Sequence, residues 1–370
     1  MTENTEEKNS YQKELFKNRL KKKYRELKKY ARKNRISSFR LYDRDIPEIP
    51  VSLDVYEFLP DTVSDKIECA RYIMEMNARI SENDPTAEKE AAMQRYAVLY
   101  LYERPYEKSM EEEEIWLSLM QSAASEVLGI PENRIVKKMR KMQKGLSQYE
   151  KSDKAKITGL TQEQGQIFKI DLTTYLDTGL FFDHRPLRAK VRDKASGKRV
   201  LNLFCYTGSF SVYAAEGGAK YVESLDLSNT YLSWAKENME LNGFSNQEKY
   251  VFTKTDVIQW LSTKAEDSKN VEPFDIIILD PPTFSNSKST VSILDINRDW
   301  PKLVKNALEI LSPGGTLYFS TNSKTLSFKA ELLPEGLTIK DATQESIPKD
   351  FEGTKCHRLW EITKSKKEMF

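Results

Sequence analysis

The chain has 370 residues, 39% of them apolar and 31% charged, with a formal net charge of +2. That length holds two or three domains and buries at least one full core. No apolar run reaches the roughly 18–20 residues of a membrane span, and the amino terminus lacks the apolar stretch of a secretory signal. Three cysteines (Cys69, Cys205, Cys356) and two histidines (His184, His357) are too few for a disulfide framework or a histidine-rich metal centre. The expectation is a cytoplasmic protein without a metal.

Residues 1–10 are polar and are expected to be disordered. Over 11–34, Leu15, Leu20, Tyr24, Leu27 and Tyr30 recur at helical spacing, and Asn34 supplies a stop. Residues 13–35 hold 12 Lys/Arg against 2 Glu, among them Arg19, Lys22, Lys23, Arg25 and Lys29. Two readings stand for this basic arm, residues 1–45. It is a solvated helix face, or it attracts a polyanion locally while the whole chain stays near neutral.

Residues 46–172 read as a smaller α+β domain. Strands are expected at 50–58, 94–102 and 134–139, and helices at 65–82 and 112–128. A second basic run follows, with Lys137, Lys138, Arg140, Lys141 and Lys144. From 173 to 370 the texture changes. Strands at 199–204, 221–226, 250–255, 274–280 and 316–320 alternate with helices at 209–216, 228–242, 257–263 and 297–311. Such alternation predicts a Rossmann-like α/β domain with a doubly wound, mostly parallel sheet.

An open parallel sheet binds its ligand beyond the carboxyl ends of its strands. After the first strand runs Asn202-Leu203-Phe204-Cys205-Tyr206-Thr207-Gly208; after the second, Asp226-Leu227-Ser228; after the third, Asp256-Val257; after the fourth, Asp280-Pro281-Pro282-Thr283-Phe284. The first loop carries a single glycine, so it fits neither the dinucleotide fingerprint nor a P-loop. A ligand with ribose and adenine but no phosphate, such as S-adenosylmethionine, tolerates it. Asp226 can accept both ribose hydroxyls. Asp256 can accept the adenine amino group, with the Val257 N–H near a ring nitrogen. Each aspartate alone could equally be a turn former or a helix cap. The two prolines after a buried strand fix the backbone and remove two N–H groups, which leaves carbonyls to face a flat heterocycle.

Three stretches carry a resemblance. They are Tyr175-Leu176-Asp177-Thr178-Gly179-Leu180-Phe181-Phe182-Asp183-His184-Arg185, then Leu201-Asn202-Leu203-Phe204-Cys205-Tyr206-Thr207-Gly208, then Asp280-Pro281-Pro282-Thr283-Phe284-Ser285-Asn286-Ser287-Lys288. Residues 173–363 resemble class I S-adenosylmethionine-dependent RNA methyltransferases, and are most similar to those that modify N7 of guanine in large-subunit rRNA. Such enzymes are often one half of a bifunctional protein. Gln143-Lys144-Gly145, Arg40-Leu41-Tyr42-Asp43 and the basic helix extend the resemblance over nearly the whole chain. The guanine-N2 half of the bifunctional proteins has no counterpart here. The resemblance implies that Phe182, Asp183, His184 and Arg185 help enclose the cofactor, together with the residues of the first loop, and that Asp226 and Asp256 hold its adenosine. It implies that residues 280–284 face the base, and that residues 46–172 recognise RNA; Leu227, Ser228, Val257 and Asp280 are also expected among the cofactor-binding residues. The partner implied is 23S rRNA or a large-subunit assembly intermediate, with neither DNA nor membrane.

The target atom follows from chemistry. Making 5-methylcytosine needs a cysteine thiolate. In the related enzymes it follows the strand after Asp-Pro-Pro, where this chain has Phe319-Ser320-Thr321-Asn322-Ser323. Cys205 and Cys356 lie elsewhere. Guanine N7 has a free lone pair and needs no prior deprotonation, so positioning suffices. Asp280 could accept from the base's N1–H and amino group, Phe284 could stack on it, and Asn322 could add a polar contact. A guanine exocyclic amine is the main alternative target, although there an aromatic residue usually follows the second proline directly and here Thr283 intervenes. A catalytically silent RNA-binding assembly factor would share the basic segments but not the cofactor.

Overall fold

The computed structural model describes residues 3–103, 109–140, 156–285 and 294–365. They form two units, 1–182 and 183–370. The division falls at 182/183, not at the 172/173 boundary expected from texture. The reason is that 173–178 is tied into the first unit. Lys138 Nζ donates to the Tyr175 and Leu176 carbonyls at 2.6 and 3.0 Å, Arg140 pairs with Asp177 at 2.8 Å, and Thr178 bonds the Tyr56 hydroxyl at 2.8 Å.

The first unit begins with helix α1 (Glu3–Lys33), so the disorder expected for residues 1–10 is corrected over the described part. Those residues stay helical because the helix is docked near its start. The buried Gln12 accepts the Trp116 indole N–H at 2.7 Å. Phe16, Leu20, Leu27 and Ala31 then bury into the same core as the neighbouring sheet, and Phe16 meets Tyr42 edge-on at 4.9 Å. Asn34 ends the helix as expected, its side chain donating to the Tyr30 carbonyl at 2.8 Å. Next come β1 (Ser38–Asp43), β2 (Val51–Glu57), α2 (Lys66–Ser81), α3 (Pro85–Met93), β3 (Arg95–Tyr102), α4 (Met110–Leu128), β4 (Ile135–Arg140), β5 (Thr158–Glu163) and β6 (Gln166–Asp171). Strands β1 to β4 form one sheet in chain order, antiparallel except for the parallel β3–β4 pair. Strands β5 and β6 make a hairpin. Strand β1, helix α3 and the hairpin are absent from the elements expected above; each is short, with little room for a periodic pattern.

The second unit contains α5 (Arg185–Lys194), β7 (Arg199–Leu203), α6 (Ser209–Glu216), β8 (Tyr221–Asp226), α7 (Asn229–Leu241), β9 (Tyr250–Lys254), α8 (Val257–Glu266), β10 (Phe274–Leu279), β11 (Phe284–Ser285), β12 (Leu294–Asp295), α9 (Ile296–Glu309), β13 (Leu311–Thr321), β14 (Leu337–Asp341), α10 (Thr343–Ser346) and β15 (Arg358–Lys364). Its seven-stranded sheet runs β14-β15-β13-β10-β7-β8-β9, with β15 antiparallel to both its neighbours and the others parallel. The expected doubly wound sheet is therefore present. Alternate residues serve opposite faces. Leu201, Leu203, Ile277, Leu279, Leu317 and Phe319 pack under α8 and α9, while Val200, Val222, Ile276, Ile278 and Tyr318 pack under α5 and α6. Burial on both faces explains why β10 reads as a nearly continuous apolar run. Strand β13 starts at Leu311, earlier than expected, because Leu311 pairs with Phe274 and a register shift absorbs the Pro313-Gly314-Gly315 turn.

Beneath this sheet Arg185 and Asp350 form an ion pair at 2.9 Å, with side chains 2% and 0% exposed. Truncating one partner strands a buried charge. Asp350→Ala is expected to destabilise the second unit by about 3–5 kcal/mol, read as a lower denaturation midpoint. A midpoint unchanged from wild type counts against a structural role for the pair.

Candidate functional site

Strands β7 and β10 lie side by side, and the chain leaves them in opposite directions, towards β8 from one and β13 from the other. Their carboxyl ends therefore open the crevice in which such sheets bind ligands. Residues 204–208 fill one rim. Phe204 (φ 57°) and Tyr206 (φ 50°) are non-glycine residues in the left-handed region, and Gly208 follows at φ 73°. Clustered strain of this kind persists only where the surroundings over-determine it, and it gathers at functional sites. Here Cys205 N–H donates to the Leu225 carbonyl at 2.9 Å, Tyr206 N–H to Asp226 Oδ2 at 3.0 Å, and Gly208 N–H to the Cys205 carbonyl at 2.9 Å.

Asp226 is half-buried at the end of β8 and also accepts from Ser228 N–H at 2.9 Å. Burial pushes its carboxyl up from the usual range even though backbone N–H groups oppose the shift. A desolvated carboxylate so placed has acceptor capacity left for further donors. Leu227 beside it is half-buried, and Ser228 caps α7 by accepting from Tyr231 N–H at 3.3 Å.

Other expected contacts turn inward. Asn202 is 1% exposed and donates to Ser211 Oγ at 2.9 Å, which continues to Ser224 Oγ at 2.7 Å. Thr207 is buried, and its carbonyl takes the Asn238 amide at 2.8 Å. Asp256 caps α8, accepting from Ile258 and Gln259 N–H at 2.9 and 3.3 Å, and the Val257 side chain joins the core. Asn202 and Thr207 thus brace the rim from below. Asp256 does what the bland sequence reading allowed, with its second carboxylate oxygen unused by the cap.

The opposite rim follows β10. The Asp280 side chain is 29% exposed. Its Oδ1 accepts from the Ser320 hydroxyl, and its Oδ2 lies 3.3 Å from His184 Nε2. Burial pushes this carboxyl up, but His184, seconded by Ser320, holds it below the usual carboxylate range. Pro281 is buried and Pro282 exposed. The Thr283 hydroxyl donates to Asn322 Oδ1, so Asn322, exposed beyond β13, is tied to the same rim. Phe284 is 55% exposed, an unusual state for a large apolar ring. Residues 286–288 of the expected motif lie outside the described residues.

Of the 182–185 segment, Phe182 is the last residue of the first unit and buries its ring 5.4 Å from Tyr56. Arg185 is consumed by Asp350. Asp183 Oδ2 meets His357 Nδ1 at 2.9 Å, and His357 Nε2 meets Ser346 Oγ at 2.8 Å. The rings of His184 and His357 stack at 4.5 Å and 14°. Sequence reasoning missed His357, Ser320 and Ser346 in this cluster. The one available signal was that His357 is one of only two histidines, and Asp183 is 174 positions away from it. Asp183, His184 and His357 could be drawn as metal ligands. The lone pairs of two stacked rings lie in parallel planes, however, and both His357 nitrogens are already engaged. The arrangement is a hydrogen-bonded chain. Cys205, at the opposite rim, is held as a neutral thiol, pushed well up by burial and by Asp226.

The expected RNA contacts all belong to the first unit and divide in two. Arg19 and Lys23 pair with Asp45 at 2.7 and 2.8 Å. Lys137 pairs with Glu114, while Lys138 and Arg140 hold the 175–177 segment. Lys22, Arg25 and Lys29 are exposed and stand outside these pairs. Lys141 and Lys144 lie outside the described residues.

Comparison with known proteins bears on this geometry. A family model described as S-adenosylmethionine-dependent methyltransferase matches residues 133–343. Ribosomal RNA large subunit methyltransferase K of Neisseria meningitidis serogroup B is 43% identical over 347 residues, covering 94% of this chain and 86% of that protein. Ribosomal RNA large subunit methyltransferase K/L of Magnetococcus marinus is 39% identical over 352 residues, which is 95% of this chain but only 43% of that longer protein. The crystal structure of the methyltransferase SMU.776 complexed with SAH shares the fold, with a TM-score of 0.68 at 21% identity over 95% of this chain and 81% of that one.

Gly208 carries a local test. A Cβ there would sit 2.8 Å from Ala235 Cβ, at a φ that L residues rarely adopt. Gly208→Ala is expected to cost about 1–3 kcal/mol through overpacking and backbone strain. Chemical denaturation at wild-type stability would show that α7 yields freely.

Proposed function

The chain belongs to the S-adenosylmethionine-dependent methyltransferases of large-subunit ribosomal RNA, and from that membership we propose that it methylates N7 of a guanine in 23S rRNA. The observation that carries this reading is the rim after β10. The Asp280 carboxylate, held below its usual range by His184 and Ser320, is followed four residues on by the exposed aromatic ring of Phe284, and the Cys205 thiol of the other rim is kept neutral by burial.

The cofactor supplies an electrophilic methyl group on a sulfonium. Asp226 fits its ribose, because that desolvated carboxylate at the end of β8 retains acceptor capacity. The tight turn at 204–208 has no glycine pair for a pyrophosphate, in keeping with an adenosine that bears none. Asp256 is a weaker candidate for the adenine, since one of its oxygens already caps α8.

On the substrate side Phe284 offers a face for a flipped base. Asp280 has exposed acceptor capacity for the guanine N1–H and amino group, which leaves N7 free. The N7 lone pair needs no base to uncover it, so these residues act by holding and orienting. The Thr283–Asn322 bond fixes the backbone that presents Phe284.

The two rims make separable predictions. Asp226→Ala is expected to weaken S-adenosylmethionine binding by roughly 1.5–3 kcal/mol, the worth of charge-assisted hydrogen bonds. Asp280→Ala should leave that affinity nearly intact and sharply reduce turnover. Calorimetry and single-turnover assays read the two effects. Mass spectrometry of the modified rRNA identifies the product, and a methyl group on N2 or on cytosine C5 would overturn the N7 assignment.

RNA docking is proposed to use the exposed part of the α1 basic face, with Lys22, Arg25 and Lys29 as its centre. They lie within two helical turns and are spaced to share one side. Reversing all three to Glu should weaken binding and flatten the plot of log affinity against log salt by about 2 units. An unchanged slope means that these side chains are only solvated.

A further inference from the structure

Within the 182–185 segment, expected to enclose the cofactor, His184 meets Asp280. Its side chain is 7% exposed, with Nε2 3.3 Å from Asp280 Oδ2. Its Nδ1 is buried with no hydrogen-bond partner among the described residues. What fixes the ring on its other side is a face: His357 stacks on it, itself held by Asp183 at one nitrogen and Ser346 at the other. The Phe210 ring lies 5.7 Å away on a further side.

We propose that His184 is a positioning residue for methyl transfer, locking the Asp280 carboxylate from below while Ser320 locks its other oxygen. The inference rests on the reading of Asp280 as the group that holds the base. The role needs two properties, and the geometry supplies both. The first is orientation. A carboxylate held at both oxygens cannot swing, so its remaining lone pairs face the crevice in one direction. The second is charge. A carboxylate can accept from two base hydrogens only when ionised, and a partly buried carboxyl tends towards its neutral form.

The charged neighbours of His184 fit this role. Asp280 and Asp183 favour the imidazolium, while Arg188 and burial oppose it, and the balance raises the imidazole above its ordinary value. The stacked His357 is likewise raised, against burial and the neighbouring His184, by its hydrogen bond to Asp183 and by the Cys356 thiol 3.6 Å from Nδ1. Two buried imidazoles thus face two carboxylates and the Cys356 thiol in one cluster. Only Asp280 carries its charge to the surface of the crevice.

The test is the pH dependence of turnover. His184→Asn keeps a hydrogen-bond donor but cannot carry the charge. It is expected to bind S-adenosylmethionine within about threefold of wild type and to lower kcat. On going from pH 8 to pH 6 it should lose about tenfold more activity than wild type, because Asp280 then takes up a proton earlier. Turnover and pH profile equal to wild type would sink the proposal. So would a loss of activity that tracks a loss of cofactor affinity, since that returns His184 to the cofactor site. If the variant does not fold, Ser320→Ala removes the other lock and must move the acid limb in the same direction; an unmoved limb there also overturns the inference. The identity of the methylated atom is read separately on the wild-type product, so an error in the N7 assignment stays distinguishable from an error about His184.

Discussion

Everything at the crevice depends on the parallel pairing of β7 with β10. Their register, from Val200 with Ile276 to Leu203 with Leu279, ends both strands at the same level. The two loops that follow therefore emerge side by side, although 76 positions separate Leu203 from Leu279. Apolar burial on both faces of β10 anchors it between its two neighbours at the centre of the sheet. The chemistry is thus positioned by packing that has no chemistry of its own.

On this platform the two rims solve different problems. The rim after β7 keeps three left-handed residues in five positions, and backbone hydrogen bonds to Asp226 and Leu225 maintain them. The rim after β10 is stiffened by two prolines and presents one carboxylate and one ring. The first suits a ligand held by its backbone surroundings and a single acidic group. On the proposed function the second grips a flat base by edge and face. The polar residues beneath, Asn202 with Ser211 and Ser224, Arg185 with Asp350, and His184 with His357, are where the interior pays for two polar rims above an apolar sheet.

The basic segments show how charge that looks alike in a chain separates on folding. Lys138 and Lys22 are both lysines in basic runs. Lys138 is half-buried against two carbonyls and the Tyr100 ring, and desolvation lowers its ammonium to about 8. Lys22 stands on the solvent side of α1. A long-range electrostatic argument from composition counts both, whereas only the second presents its charge to solvent.

Local pattern alone determined much of this protein. Alternating strands and helices, apolar β10 and the Asp-Pro-Pro that closes it were legible because each is a property of neighbouring residues. So were the strand-end positions of Asp226, Asp256 and Asp280, and the wording that led to the family. The amphipathic α1 was legible too, though its amino-terminal extension was not, because Gln12 is held by Trp116 from a distant helix. Only the tertiary structure decided what each side chain faces. Arg185 went to Asp350, Asn202 to Ser211, and His184 to Asp280. The physical reason is that direction and burial are set by partners far along the chain. His357 reaches Asp183 across 174 positions, and no spacing rule within a segment can encode such a contact.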